Sequence, residues 1–459
     1  MLVSTPEIQL HGKDTKSDPI YSVHVQPCPA AGIVRNGRRA FRIATGGVSE
    51  IRIWLVEEVT GTAAPLVEFR ATLERHQAAI NVVRFSPDGT VLASGDVDGV
   101  ILLWKLVNEV DDPKSIKAED LGFVNLESWT SQKAGRNHGS EVTDLAWSPD
   151  GRYLLSSSCD DTNNIYDVEK LDVVKSFSEA KAFVLGVSWH PRSRNVATIS
   201  ADRFLRLYDP FNKETSCGHK IHRFGTGAFA GELLFMGDDN CMARRRLDFS
   251  PDGKLLVAPS GAARQSTKAD VKTRIACTYI FNVDINRDNK KIGNPVAVLP
   301  ATAATSLVRF CPKLFTHRQP PANSRSTQDP DIIPMEVDED AENEPVMMTS
   351  DTPKRHKLLL DGIPYRMIFA VATQKQVLFY DTDMDRPFAL IDQIHATDLS
   401  DLAWSPDGRM LVVSSLDGFC TFVEFAEDEL GQVYAPPVRV IPASVVLPAA
   451  TAEPSTSRG

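Results

Sequence analysis

His76, Ser94, Asp98 and Trp104 follow one another along one stretch of the chain. His138, Ser156 and Asp160 repeat the order, with Tyr166 in the tryptophan place. Thr198 and Asp202, followed by Tyr208, make a third, partial set with no obvious histidine. Histidines near carboxylates could do general acid–base chemistry. The spacing points to a different use. An aspartate accepts from the histidine, the histidine meets the hydroxyl, and the hydroxyl reaches an indole N–H, so each buried polar group has a partner. His76 and His138 are therefore assigned a structural role, and Asp98, Asp160, Asp202 and Asp417 are read as turn acids of a scaffold. His11 and His395 are candidates for the same role elsewhere. No nucleotide-binding loop, HExxH, GxSxG or paired metal-ligand motif occurs, so no catalytic residue, cofactor or metal is expected.

The elements that position these side chains are marked by a turn. SPDG stands at 86–89, 148–151, 250–253 and 405–408. Proline pre-sets the first central residue of a type I turn, serine and aspartate bond the local backbone, and glycine closes it. Each copy follows a short run ending in an aromatic: NVVRF, TDLAW, RRLDF, SDLAW. After three of them comes an apolar strand, a polar turn and an alternating strand, as in VLASGDVDGVILLWKL (91–106). Worn copies (QPCP, HPRS and CPKL) bring the number of units to seven, anchored at Pro27, Pro87, Pro149, Pro191, Pro251, Pro312 and Pro406. The shortest interval, 42 residues, matches one four-stranded WD-repeat blade. The chain is thus expected to be all-β, a seven-bladed WD-repeat β-propeller. The last unit lacks an outer strand, and LVSTPEIQL (2–10) is left over at the start. The N-terminal strand is expected to complete the last blade against 419–425 and close the ring. The propeller is expected to span 1–432, with insertions near 107–137, 211–244 and 313–362, and a flexible tail over 433–459. The first, sixth and seventh units lack parts of the polar set and are expected to depend more on packing.

The interruptions are where function is expected, because loops on a rigid scaffold carry it. Arg244, Arg245 and Arg246 are three adjacent cations beside an insertion and form a candidate docking patch, against a plainer reading as exposed strand-start arginines. From Asp331 to Glu344 there are seven acids and no base, with Asp338, Glu339 and Asp340 at the centre; this stretch is either a solvated, disordered loop or a contact for a basic partner. The formal net charge of −10 argues against extensive direct DNA binding. Seven widely spaced cysteines without a CxxC read as reduced, intracellular thiols, and neither a secretory signal nor a membrane span is expected.

Several stretches outside the repeat signature resemble one family. INVVRFSPDGTVLASGDVDGVILLWK (80–105), RRLDFSPDGKLLVAPSG (245–261), PYRMIFAVATQKQVLFYDT (364–382), IHATDLSDLAWSPDGRMLVVSSLDGFCTFVEFAEDELG (394–431) and the start EIQLHGKDTKSDPIYSV (7–23) are similar to the middle subunit of chromatin assembly factor 1. The resemblance covers residues 1–431. It implies a nuclear, non-catalytic scaffold of a histone chaperone that deposits histones H3 and H4 on newly replicated or repaired DNA. It also implies binding to the large subunit of that factor, contact with H3 and H4, and receipt of histones from the chaperone anti-silencing function 1. The family's tail segment for that last contact has only a poor likeness here, VRVIP (438–442). Two other readings stay open. One is a histone-chaperone propeller acting outside replication. The other is a substrate receptor of a ubiquitin ligase, against which Trp54 is followed by Leu55 and Trp104 by Lys105 instead of the aspartate of a Trp-Asp-x-Arg end.

Overall fold

Each SPDG turn folds around its own serine and aspartate. Ser250 Oγ donates to Asp252 at 2.6 Å, and the backbone amide of Leu255 returns to Ser250 Oγ at 2.9 Å. The closing glycines Gly89, Gly151, Gly253 and Gly408 sit at φ between 69° and 75°, a left-handed conformation that strains any side-chain-bearing residue. The turn thereby reverses the chain between the first and second strands of a blade.

A computed structural model describes residues 1–6, 11–13, 16–27, 33–35, 38–57, 65–109, 125–136, 138–211, 218–226, 229–237, 244–264, 274–286, 289–318, 346–347, 363–384 and 386–435. Among them every regular element is a strand, and the strands make a seven-bladed β-propeller. The innermost strands are Ser22–Val25, Ile80–Phe85, Val142–Trp147, Val184–Trp189, Asp248–Phe249, Leu307–Phe315 and Leu399–Trp404. Each contacts the next in cyclic order, and the last contacts the first. Ile80–Phe85 is buried throughout, as an innermost strand must be, whereas the outer strand Asp172–Phe177 alternates exposure along DVVKSF.

The core lies between blades. Val82, Ala93, Ile101 and Leu103 of blade 2 meet Val142, Leu145, Leu154 and Tyr166 of blade 3 in one cluster. Ile20, Val23 and Ile43 of blade 1 meet Met410, Val412 and Phe422 of blade 7 in another. The ring closes with the N-terminal strand. Leu2, Val3 and Ser4 pair antiparallel with Glu424, Val423 and Phe422, and Thr5 Oγ1 lies 2.6 Å from Thr421 Oγ1. Residues 7–10, which the sequence added to this strand, lie outside the described residues.

Within the expected insertions, Glu127–Arg136 pairs with a lengthened Val100–Glu109 as the outer strand of blade 2. His219–Ile221 is the outer strand of blade 4. Val346–Met347 adds in parallel to Ala297–Pro300 of blade 5. The acidic stretch 331–344, with Asp338, Glu339 and Asp340, and the tail from 436 onward lie outside the described residues.

Candidate functional site

Blade 2 holds the polar chain in full, with one correction. His76 Nε2 is 2.6 Å from Ser94 Oγ, and the Trp104 indole N–H donates to the same oxygen at 2.8 Å. The acid facing His76 Nδ1 is Asp96, at 2.7 Å, not Asp98, which is exposed. Asp96 Oδ1 also accepts the Val100 amide at 2.8 Å. With a carboxylate already at 96, two residues nearer the strand, position 98 is left to solvent. Blade 3 has serine at the equivalent near position, Ser158, and there the farther acid is used. Asp160 Oδ2 is 3.0 Å from His138 Nδ1, and His138 Nε2 is 2.6 Å from Ser156 Oγ.

Three other blades vary the theme. In blade 4, Thr198 is buried at the hydroxyl position, but Arg206 takes the part of the missing histidine. Its guanidinium bonds Ser200 Oγ at 2.6 Å and pairs with Asp202. In blade 1, which from sequence alone counts as incomplete, His11 Nε2 lies 2.8 Å from Thr45 Oγ1, and the Trp54 indole donates to that oxygen at 3.0 Å. In blade 7, Thr421 offers the hydroxyl from the third strand, 3.0 Å from His395 Nε2, while His395 Nδ1 faces Asp417 at 3.1 Å. Burial, with Arg52 nearby, pushes His11 down to about 3, and burial also lowers His138. These histidines are parts of the scaffold's hydrogen-bond network.

The arginine run is a second correction. Arg245 and Arg246 are 2% and 0% exposed and offer no outward docking patch. They are not exposed strand-start residues either. Arg245 bonds the carbonyls of Met236 and Gly237 at 3.3 and 3.1 Å. Arg244 is half-buried over the Tyr21 ring and reaches Asn81 Oδ1 at 3.4 Å. Arg246 points into the centre of the ring, where Nη1 lies 2.7 Å from Asp401 Oδ1 and Nε lies 3.3 Å from Asp144 Oδ1.

Around these residues the innermost strands assemble a buried ion cluster that sequence reasoning missed. Arg84 Nη1 is 2.7 Å from Asp401 Oδ2, Arg84 Nη2 is 3.4 Å from Asp144 Oδ1, and Arg309 lies 3.8 Å from Asp401. Asp248 accepts the Phe310 amide at 2.9 Å. Blades 2, 3, 5, 6 and 7 contribute charges to these pairs, so the cluster ties opposite parts of the ring together. Burial works to raise the Asp401 carboxyl, but Arg246, Arg84 and Arg309 overcome it and hold it far below the usual carboxylate range. Burial lowers the Arg246 guanidinium to about 9 and raises Asp248. A signal for the cluster did exist. Counting back three residues from the aromatic that ends TDLAW, RRLDF and SDLAW gives Asp144, Arg246 and Asp401.

A second ionic group ties blades 1 and 2 at their edges. Arg42 and Arg70 both reach Glu127 Oε1, at 2.8 and 3.2 Å, and both reach Glu109 at 2.6 Å. Cys277, Cys311 and Cys420 are buried free thiols; burial pushes Cys277 and Cys311 up to about 12. Among the described residues no group of three or more His, Cys, Asp or Glu is placed to hold a metal ion. The central cluster and the Arg42–Arg70 group thus join blades to one another.

Comparison with known proteins agrees with this architecture. A sequence model of the CAF1B/HIR1 beta-propeller domain matches residues 1–430. The chain is 37% identical to a subunit of chromatin assembly factor 1 from Gallus gallus, over 94% of the chain and 69% of that protein. It is 38% identical to the corresponding subunit from Mus musculus, over 94% and 68%. It is 27% identical to "Protein HIR1" of Yarrowia lipolytica, over 94% of the chain and 38% of that protein.

Proposed function

The chain belongs to the CAF1B/HIR1 β-propeller family, and on that premise we propose that it is a non-catalytic scaffold subunit of a nuclear histone chaperone complex. The complex deposits histones H3 and H4 on DNA during replication- or repair-coupled nucleosome assembly. Its partners are the large subunit of chromatin assembly factor 1, the two histones, and the chaperone anti-silencing function 1. The observation that carries this reading is the 37–38% identity across 94% of the chain to relatives whose name makes them one subunit of an assembly factor. The propeller's part is to hold partners on a rigid disc. Its acidic surface screens histone charge until DNA competes for the histones.

A second reading is a histone-chaperone propeller acting outside replication, and the match to the Yarrowia lipolytica HIR1 protein is what favours it. Affinity capture from nuclear extract, read by mass spectrometry, separates the two. Recovery of a large chromatin-assembly subunit with H3 and H4 is the expected result. Histones with a different large partner would select the second reading. Cullin adaptors without histones would overturn both and favour a ubiquitin-ligase receptor.

A further inference from the structure

At three seams of the disc, neighbouring SPDG-type turns are in close contact. A Cβ on Gly89 would collide with the Pro27 carbonyl of the preceding blade, one on Gly253 with the His190 ring, and one on Gly408 with Cys311. At these three seams the fourth turn residue has to be glycine for the turns to meet this closely. Blade 4 carries the worn turn His190-Pro191-Arg192-Ser193, with a serine in that place. Its seam with blade 3 is open, a cavity of about 580 Å³ lined by the turns of both blades together with Tyr153, Trp189 and Phe211.

The floor of this cleft is aromatic. Tyr153 stacks on Trp189 with centroids 6.5 Å apart and 11° between planes, and Phe211 packs against Tyr153 at 4.8 Å. Pro149 and Pro191 stand on its two walls. The rim is cationic. Arg192 and Arg194 are exposed and line the cleft. Arg152 covers the Tyr153 ring at 5.1 Å, and Asp150 is the one acid of the lining. On a chain of net charge −10, a cleft with an apolar aromatic floor and a basic rim is set apart from its surroundings.

We propose that the seam between blades 3 and 4 is a docking site for an acidic linear segment of a partner protein, anchored by a proline or aromatic side chain on the Tyr153–Trp189–Phe211 floor. Charge complementarity selects the occupant. Carboxylates flanking the anchor meet Arg192 and Arg194, whose planar guanidinium groups suit bidentate pairing. The anchor displaces water from a flat aromatic surface, on which proline-containing extended segments lie without much loss of entropy. Histones H3 and H4 are basic, so the site serves a non-histone partner and goes beyond the function proposed above.

The test uses the full chain and a fluorescein-labelled dodecapeptide of glutamates and aspartates around a central Leu-Pro-Trp, followed by fluorescence anisotropy. Saturable binding is expected, weakened about tenfold by Arg192→Glu with Arg194→Glu, by Phe211→Ala, and by raised salt. The double arginine variant should melt as the parent does, because both side chains are exposed. Three results would overturn the proposal. They are no saturable binding of the acidic probe, equal binding of an all-glutamate peptide lacking the anchor, and stronger binding of a lysine-rich peptide or of single-stranded DNA.

Discussion

Arg246 of blade 5 and Asp401 of blade 7 are held 2.7 Å apart at the centre of the ring, with neither side chain exposed to solvent. Arg84 completes the carboxylate's pairing from blade 2. The pair fastens blades that share no sheet, and removing one partner strands a buried charge. Arg246→Met is expected to cost about 3–5 kcal/mol of unfolding free energy, read as a lowered urea midpoint at unchanged m-value. Reversal of Arg244, Arg245 and Arg246 together to glutamate is expected to prevent accumulation of folded protein. A folded reversal variant would contradict the central placement of these residues.

Asp96 and Asp98 make a contrasting pair. Asp96→Ala leaves the His76 ring N–H and the Val100 amide without their acceptor in the interior, a cost of about 1–3 kcal/mol. Asp98→Ala touches an exposed side chain and is expected to stay within about 0.5 kcal/mol of the parent. Thermal melts of the two variants side by side check the assignment.

Acid should weaken the fold through its buried histidines. His24 Nδ1 accepts the Phe85 amide at 3.1 Å, which requires the ring nitrogen to be unprotonated. Burial, with Arg84 and Arg309 near, pushes His24 down to about 3, and His11 is pushed down as far. The unfolded chain therefore takes up protons near pH 6.5 that the folded chain refuses. This stability is fully present above that pH and falls by about 1.4 kcal/mol per pH unit for each histidine until the folded values are reached. His24→Gln keeps an acceptor for the amide, and it is expected to flatten the pH slope of the urea-derived free energy between pH 6.5 and 5 by about one proton's worth. An unchanged slope would show that His24 does not set it.

The N-terminal strand closes the last sheet, but its own apolar side chains are part-exposed, with Leu2 at 40% and Val3 at 38%. Deleting residues 1–5 removes the pairing with Phe422–Glu424 and bares the edge of Cys420–Glu424. The expected result is a melting temperature lower by a few degrees, together with concentration-dependent self-association by light scattering. An unchanged melting curve and a monodisperse variant would show that ring closure does not depend on this strand.

Much of the polar scaffold can be read from local spacing once the near position is counted. Ser158 and Ser415 leave the acid role to Asp160 and Asp417 two residues on, whereas blade 2 writes its acid directly at 96. Arg206 was harder to see, since an arginine replacing a histidine comes from the third strand rather than from before the blade.

By itself the sequence determined the seven-bladed ring and its closure by the N-terminal strand, because turn chemistry and strand alternation are properties of contiguous residues. The same holds for the hydroxyl–indole pairs, where Ser94 and Trp104 sit on adjacent strands of one hairpin. Only the tertiary structure decided where Arg244–Arg246 point and that Asp144, Asp401 and Arg84 await them, and only it showed that the seam beside Ser193 stays open. The reason is physical: whether a cation faces water or the ring's centre depends on innermost strands brought together from the whole length of the chain. A local spacing can mark Asp144, Arg246 and Asp401 as equivalent positions, but it does not say that they meet.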